Sequence, residues 1–117
     1  MGNSDKRWII QDRDGNNVYL TEERWAHIID SLNHSEMAEY EECLKTAIQK
    51  GRRRQEPLNP RKYRYVHPYD NLPNGMNHVV AIVLFGFDVN EKGETVPNNF
   101  VATAFFKHII LKGSSRA

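Results

Sequence analysis

Two histidines, His27 and His34, stand seven residues apart in a stretch with helical periodicity. Imidazole titrates near neutral pH, so two on one face could serve as proton donor and acceptor. Thr103, inside the run Phe100–Phe106, adds a hydroxyl that could be aimed into a site. The third ingredient is cationic. Between Gly51 and Arg64, Arg52, Arg53, Arg54, Arg61, Lys62 and Arg64 face one acid, Glu56, in a chain whose formal net charge is only +1. Thr21–Lys50 leans the other way, with seven acids against three bases. Soluble surfaces usually intersperse their signs, so a basic strip beside an acidic body reads as a docking site for an anion, nucleic acid first.

Each feature also has a plainer explanation. A surface histidine is usually idle, and taken alone the two histidines favour that reading. Thr103 is in the common case a β-branched strand former. The basic strip could be a solvated loop that neutralises the acidic helix before it. Its arginines continue past the helix end into an expected strand, which favours the anion site. Tyr63, Tyr65 and Tyr69 interleave with Arg61, Lys62, Arg64 and His67, and aromatic faces can stack unpaired bases while arginines grip phosphates. Strand alternation sets Tyr63 and Tyr65 on one face and Arg64 and Val66 on the other. We read the tyrosines as inward and Arg64 as outward, and keep Tyr65 as a candidate RNA contact. Lys107 and His108 close the last strand and could sit at its rim, Lys107 as a further candidate RNA contact.

Other chemistries find less support. His27, His34, Glu36 and His67 form no HxxxH or HExxH pair, and seven helical residues span about 10 Å, too far for two ligands of one ion. No metal and no cofactor is therefore expected. No phosphate-binding glycine loop, GxSxG elbow or carboxylate constellation is present, and Glu41 and Glu42 read as a solvated acidic face. Cys43, the single cysteine, excludes an internal disulfide and fits a reducing, cytoplasmic setting as a half-buried inert thiol. No apolar run reaches the eighteen residues of a membrane span, and the first residues lack the apolar core of a secretion signal.

The elements that would position these residues follow from pattern. At 117 residues, 39% apolar and 26% charged, one domain over 1–117 is expected, with frayed ends at about 1–5 and 112–117. Arg7–Gln11 and Val18–Leu20 flank the turn signal Asp14-Gly15, which predicts an opening hairpin. Thr21 can cap a helix whose stripe is Trp25, Ile28, Ile29 and Leu32, with His27 on the opposite, polar face. Ser35 can cap a second helix that stops at Gly51. Lys62–Val66, His78–Asp88 and Asn99–Ile110 read as strands, the last two joined by a hairpin connection containing Gly93. In the last strand, Val101, Thr103 and Phe105 should share one face and Ala102, Ala104 and Phe106 the other. The expected fold is α+β, with two N-terminal helices packed on a mostly antiparallel sheet of about four strands, preceded by a short hairpin.

The segments Leu20–Ile29 (LTEERWAHII), His34-Ser-Glu36, a second helix, a strand near Tyr63–Tyr65 and a closing Phe100–Phe105 (FVATAF) together resemble the barnase–EndoU–colicin–RelE superfamily of small RNases, in its phage- and toxin-associated branches. The resemblance runs from about Val18 to Ile110. It implies metal-independent RNA cleavage, in which the ribose 2′-hydroxyl attacks the adjacent phosphorus and leaves a cyclic phosphate and a 5′-hydroxyl. By position it implies His27 as general acid/base, His34 as a second candidate, Arg64 stabilising the phosphorane and Thr103 bonding the scissile phosphate. The proton donor stays open between His27 and His34, with His67, His78 and His108 as outside candidates. Arg52, Arg53, Arg54, Arg61 and Lys62 would guide the RNA backbone. The resulting expectation is a toxin or antiphage effector inside a bacterial cell, with RNA as substrate and a protein antitoxin, inhibitor or larger effector complex as partner. The alternatives are a non-catalytic nucleic-acid-binding regulator using the same strip, and a protein-interaction module.

Overall fold

Alternation drives the first two strands. In β1 (Lys6–Gln11) and β2 (Asn17–Thr21), Ile10, Val18 and Leu20 turn inward while Ile9 stays exposed. The structure, a computed structural model, describes residues 5–30 and 32–110, so nearly all of both ends expected to fray lies outside the described residues. The β1–β2 connection runs from Asp12 to Asn16, longer than the two-residue turn expected, because the Asp12 carboxylate organises it. Asp12 Oδ1 accepts from the backbone N–H groups of Asp14 (2.9 Å) and Asn16 (2.8 Å).

Thr21 caps α1 (Glu22–Ile28), its hydroxyl accepting from the Arg24 N–H at 3.0 Å. The helix ends at Ile28, earlier than its stripe predicts, and Leu32 is 90% exposed. Short polar side chains compete for the backbone here. Asp30 accepts from the Leu32 N–H at 2.9 Å and Asn33 donates to the His27 carbonyl at 3.0 Å. Ser35 caps no α-helix either. It opens a 3₁₀ segment, Ser35–Glu39, and α2 (Glu41–Lys50) begins after Tyr40. Glu41 is no solvated acid, since it binds the Arg7 guanidinium and the Trp8 indole N–H. Gly51 stops α2 as expected. A Cβ there would collide with the Ala47 and Val66 carbonyls, so only glycine lets the chain turn directly from helix to strand.

The strands that follow are β3 (Arg52–Glu56), β4 (Asn59–Pro68), β5 (His78–Leu84), β6 (Phe87–Val89), β7 (Thr95–Pro97) and β8 (Phe100–Lys107). Among the described residues, six of the eight strands form one mixed sheet ordered β1-β2-β8-β5-β4-β3, and β6 pairs only with β7. This overturns the expected two helices on four strands. Arg52–Glu56 pairs with β4 as an edge strand, a position that tolerates charges which would be costly in a sheet centre. The opening hairpin does not precede the sheet but joins it, through a parallel contact of Tyr19 with Phe100.

The core lies on one side of this sheet, under α1 and α2. Val18, Leu20, Tyr65, Val79, Ala81, Val83, Val101 and Ala104 meet Trp25, Ile28, Met37, Leu44, Ala47 and Ile48 there. The β1–β2 connection reaches across to the opposite edge, where Asp12 Oδ2 accepts the Tyr65 hydroxyl and Asp14 accepts the Arg53 Nε–H at 3.1 Å. Among the described residues no helix is long and apolar enough to cross a membrane.

Candidate nucleic-acid interface

Period-two alternation sorts the basic strip by face. Arg52, Arg54 and Arg64 pair with Val66, Arg64 and Ile82 across β3, β4 and β5, and these positions alternate with the core positions Tyr65 and Ala81. They therefore lie on the sheet face that no helix covers. Lys62, paired with Leu84, shares that open face. Arg64 donates through Nε to Glu56 at 3.1 Å, and among the described residues Nη1 and Nη2 make no hydrogen bond. That geometry leaves a planar fork available for a phosphate.

Arg53 and Arg61 fall on the Tyr65 side of the sheet, apart from Arg52, Arg54, Lys62 and Arg64. Arg53 lies over the Tyr63 ring (4.6 Å to centroid) and the Phe85 ring (5.2 Å) while bonding Asp14. Arg61 donates through Nε to the Phe85 carbonyl at 2.9 Å and packs against Gly86. Arg53 thus covers aromatic rings and ties down the β1–β2 connection, whereas Arg61 is anchored through Nε and stays exposed. Tyr65 is excluded as a base-stacking residue. It is fully buried, and burial with the Asp12 carboxylate beside it drives its pKa far up, which keeps the hydroxyl protonated as a donor. Asp12 is held below the usual carboxylate range: burial opposes this, but hydrogen bonds from Tyr65 and Asn16 outweigh it.

On β8 a bulge changes which side chains face out. The β5–β8 register shifts between Ile82 and Val83, so that Ile82 pairs with Thr103 but Val83 with Val101. Ala102 is the extra residue. Val101 thus joins Ala104 on the core side, against the simple alternation expected, while Thr103 and Phe105 face outward. Arg64, Ile82 and Thr103 consequently form one row across three strands, and Val66, Val80 and Phe105 form the next. Val80 and Ile82 are buried yet stand apart from the helix-side core, giving the open face an apolar floor.

The histidines separate. The His34 ring lies 5.6 Å from the Phe105 ring, at the border of the open face. His27 is exposed on α1, and among the described residues no hydrogen bond or ring contact joins its side chain to Arg64, Thr103 or Phe105. Helix termination at Ile28 removes the shared helical face assumed for the pair. Lys107 is exposed at the end of β8, opposite His78 on β5. His78 is the residue sequence reasoning undervalued. Its position opening a strand otherwise made of buried apolar residues was the available signal. Among the described residues, no three His, Cys, Asp or Glu side chains converge as metal ligands would.

A cleft of about 880 Å³ lies elsewhere, between the β1–β2 hairpin and the β6–β7 ribbon. Its walls carry Asp88, Glu91 and Glu94 against Lys6 and Lys92, a balance unsuited to a polyanion. Compared with known proteins, the chain matches no family model, no curated protein and no solved structure.

Proposed function

We propose that the open sheet face binds RNA and cleaves it by attack of a ribose 2′-hydroxyl on the adjacent phosphate, as a metal-independent endoribonuclease of the toxin or antiphage-effector kind acting in the cytoplasm. The observation that carries this reading is the row Arg64–Ile82–Thr103 on a face that also presents Arg52, Arg54, Lys62 and, beside Phe105, His34. Cations there can follow a phosphate backbone, and the Arg64 fork can oppose charge on the phosphorane. Thr103 can bond a non-bridging oxygen. His34 can protonate the departing 5′-oxygen. His27, whose side chain makes no hydrogen bond or ring contact to this face among the described residues, takes no part in this arrangement.

The test is incubation of the purified protein with total RNA in EDTA, followed by end-group analysis. Fragments with 2′,3′-cyclic phosphate and 5′-hydroxyl ends are expected, and Arg64→Ala should lower their rate of formation about 100-fold. Intact RNA after long incubation would rule out the catalytic reading. Salt-sensitive retention of that intact RNA would leave the binding-only alternative, which the exposure of Arg52 and Arg54 favours because it requires no imidazole.

A further inference from the structure

His78 opens β5 and is the one buried imidazole among the described residues, with 7% of its surface exposed. It shares the open face with Val80 and Ile82, because the intervening Val79 and Ala81 lie in the helix-side core. Its Nδ1 lies 2.7 Å from Asn77 Oδ1. That amide is pinned in turn: Oδ1 also accepts from the Ile109 N–H at 2.9 Å, and Nδ2 donates to the Ile109 carbonyl at 3.0 Å. A reversed amide would set its NH₂ group against the Ile109 N–H and its oxygen against a carbonyl. The oxygen therefore faces the imidazole, Nδ1 carries the proton, and Nε2 is the basic atom. Among the described residues Nε2 has no hydrogen-bond partner.

The surroundings are those of a reaction site. Lys107 is the direct cross-strand partner of His78, and the next pair on the same face is Val80 with Phe105, against which His34 lies. His34 therefore lies against Phe105, and His78 stands one same-face step from Val80, the cross-strand partner of Phe105. Thr103 lies one same-face step beyond Phe105 along β8, roughly 7 Å, and Arg64 stands two strands across from Thr103 in the same row.

We infer that His78 is a catalytic proton acceptor of this face, that Asn77 positions it, and that its substrate group is a ribose 2′-hydroxyl next to a phosphodiester. The inference rests on the endoribonuclease reading above. Nε2 takes the 2′-hydroxyl proton as the O2′–P bond forms. The P–O5′ bond breaks, and His34, entering as imidazolium, gives its proton to the departing O5′. The products are a 2′,3′-cyclic phosphate and a 5′-hydroxyl, and the two imidazoles have exchanged protonation states. Lys107 opposes charge on the non-bridging oxygens from the His78 side.

A base must begin neutral, and the environment of His78 keeps it so. Burial lowers its pKa, and His108 beyond β8 and His67 on β4 push the same way. Lys107 on β8 adds a further cation opposite, and Lys50 at the end of α2 acts on His67.

The experiment is the pH dependence of kcat/KM for cleavage of a short RNA oligonucleotide by the parent, His78→Gln and Asn77→Asp. The parent should show an acid limb below the ordinary histidine value, and His78→Gln should lose at least about 100-fold in rate while RNA binding stays within a few-fold. Asn77→Asp sets a carboxylate against Nδ1 and stabilises imidazolium, so its acid limb should move to higher pH. An active parent with an unimpaired His78→Gln variant, or an unmoved limb in Asn77→Asp, overturns the assignment of His78 and leaves the endoribonuclease reading standing. A parent that cleaves no RNA overturns both.

Discussion

Arg53 and Arg54 are neighbours in the chain and lie on opposite faces of one sheet, and their surroundings differ accordingly. Arg53 covers two aromatic rings and bonds Asp14, next to the buried Tyr65–Asp12 pair. Arg54 stands exposed beside Arg64, which pairs in turn with the buried Ile82 on the same face. The helix side uses its polar groups to close the fold. Among the described residues the open side leaves its cations without such partners, Glu56 on Arg64 being the exception. Charge density along a sequence therefore overstates an anion site, because a strand sends every second residue to the other face.

The strongest way to break the comparison is to remove a helix-side polar group and look for an open-face effect. Asp12→Ala removes the acceptor for the Tyr65 hydroxyl, for two backbone N–H groups of the β1–β2 connection and for the Asn16 amide. A buried hydroxyl without a partner, together with a loosened turn, should cost about 2–3 kcal/mol of unfolding free energy in a denaturant titration. RNA affinity of the folded variant should stay within about two-fold, since none of these groups reaches the open face. A parallel fall in affinity would mean that the two faces are coupled.

Next in size is the exchange between the adjacent arginines. Arg54→Ala should weaken RNA binding several-fold and lower the slope of log K against log salt by about 0.7, the loss of one phosphate contact on a single strand. Arg53→Ala should leave that slope unchanged and cost about 1 kcal/mol of stability, from two cation–π contacts and a half-exposed ion pair. Equal slopes for the two variants would collapse the distinction between the faces.

Much of this arrangement was legible beforehand, and the remainder failed for identifiable reasons. The Thr21 cap, the Gly51 stop and the inward tyrosines with an outward Arg64 follow from local chemistry alone. The extra sheet strands did not, because Arg52–Glu56 has no apolar alternation and owes its strand state to pairing with β4. The outward turn of Thr103 depends on a bulge opposite Ile82–Val83, a tertiary event that leaves no mark in the sequence of β8. For the candidate site, Arg64 and Thr103 share the open face with Phe105, against which His34 lies, while Arg53 and Arg61 fall on the other face, Tyr65 is buried, and among the described residues the His27 side chain makes no hydrogen bond or ring contact. His78 counted only as an outside candidate because its value lies in the Asn77 carbonyl that fixes its tautomer, and that contact is set by an amide bridging to Ile109.

The smallest effect sharpens the comparison by pH. His78 on the open face and His67 on the helix side both have lowered pKa values, with burial the main cause. The unfolded chain then binds more protons than the folded one between the ordinary histidine value and these lower values. Stability is accordingly complete above about pH 6.5 and falls as pH drops through the window beneath it. Asp12, held down by Tyr65 and Asn16 against burial, and Glu41, held down chiefly by Arg7, contribute in a separate window below the usual carboxylate range. Thermal unfolding across pH 2 to 8 should therefore show a shallow loss beginning near pH 6.5 and a steeper one at the acid end. His78→Gln should flatten only the first, keeping the share that belongs to His67, whereas Asp12→Ala should reduce only the second. If His78→Gln leaves the upper window unaltered, its imidazole is not held neutral by burial, and the open face lacks the desolvated base that distinguishes it from an ordinary basic surface.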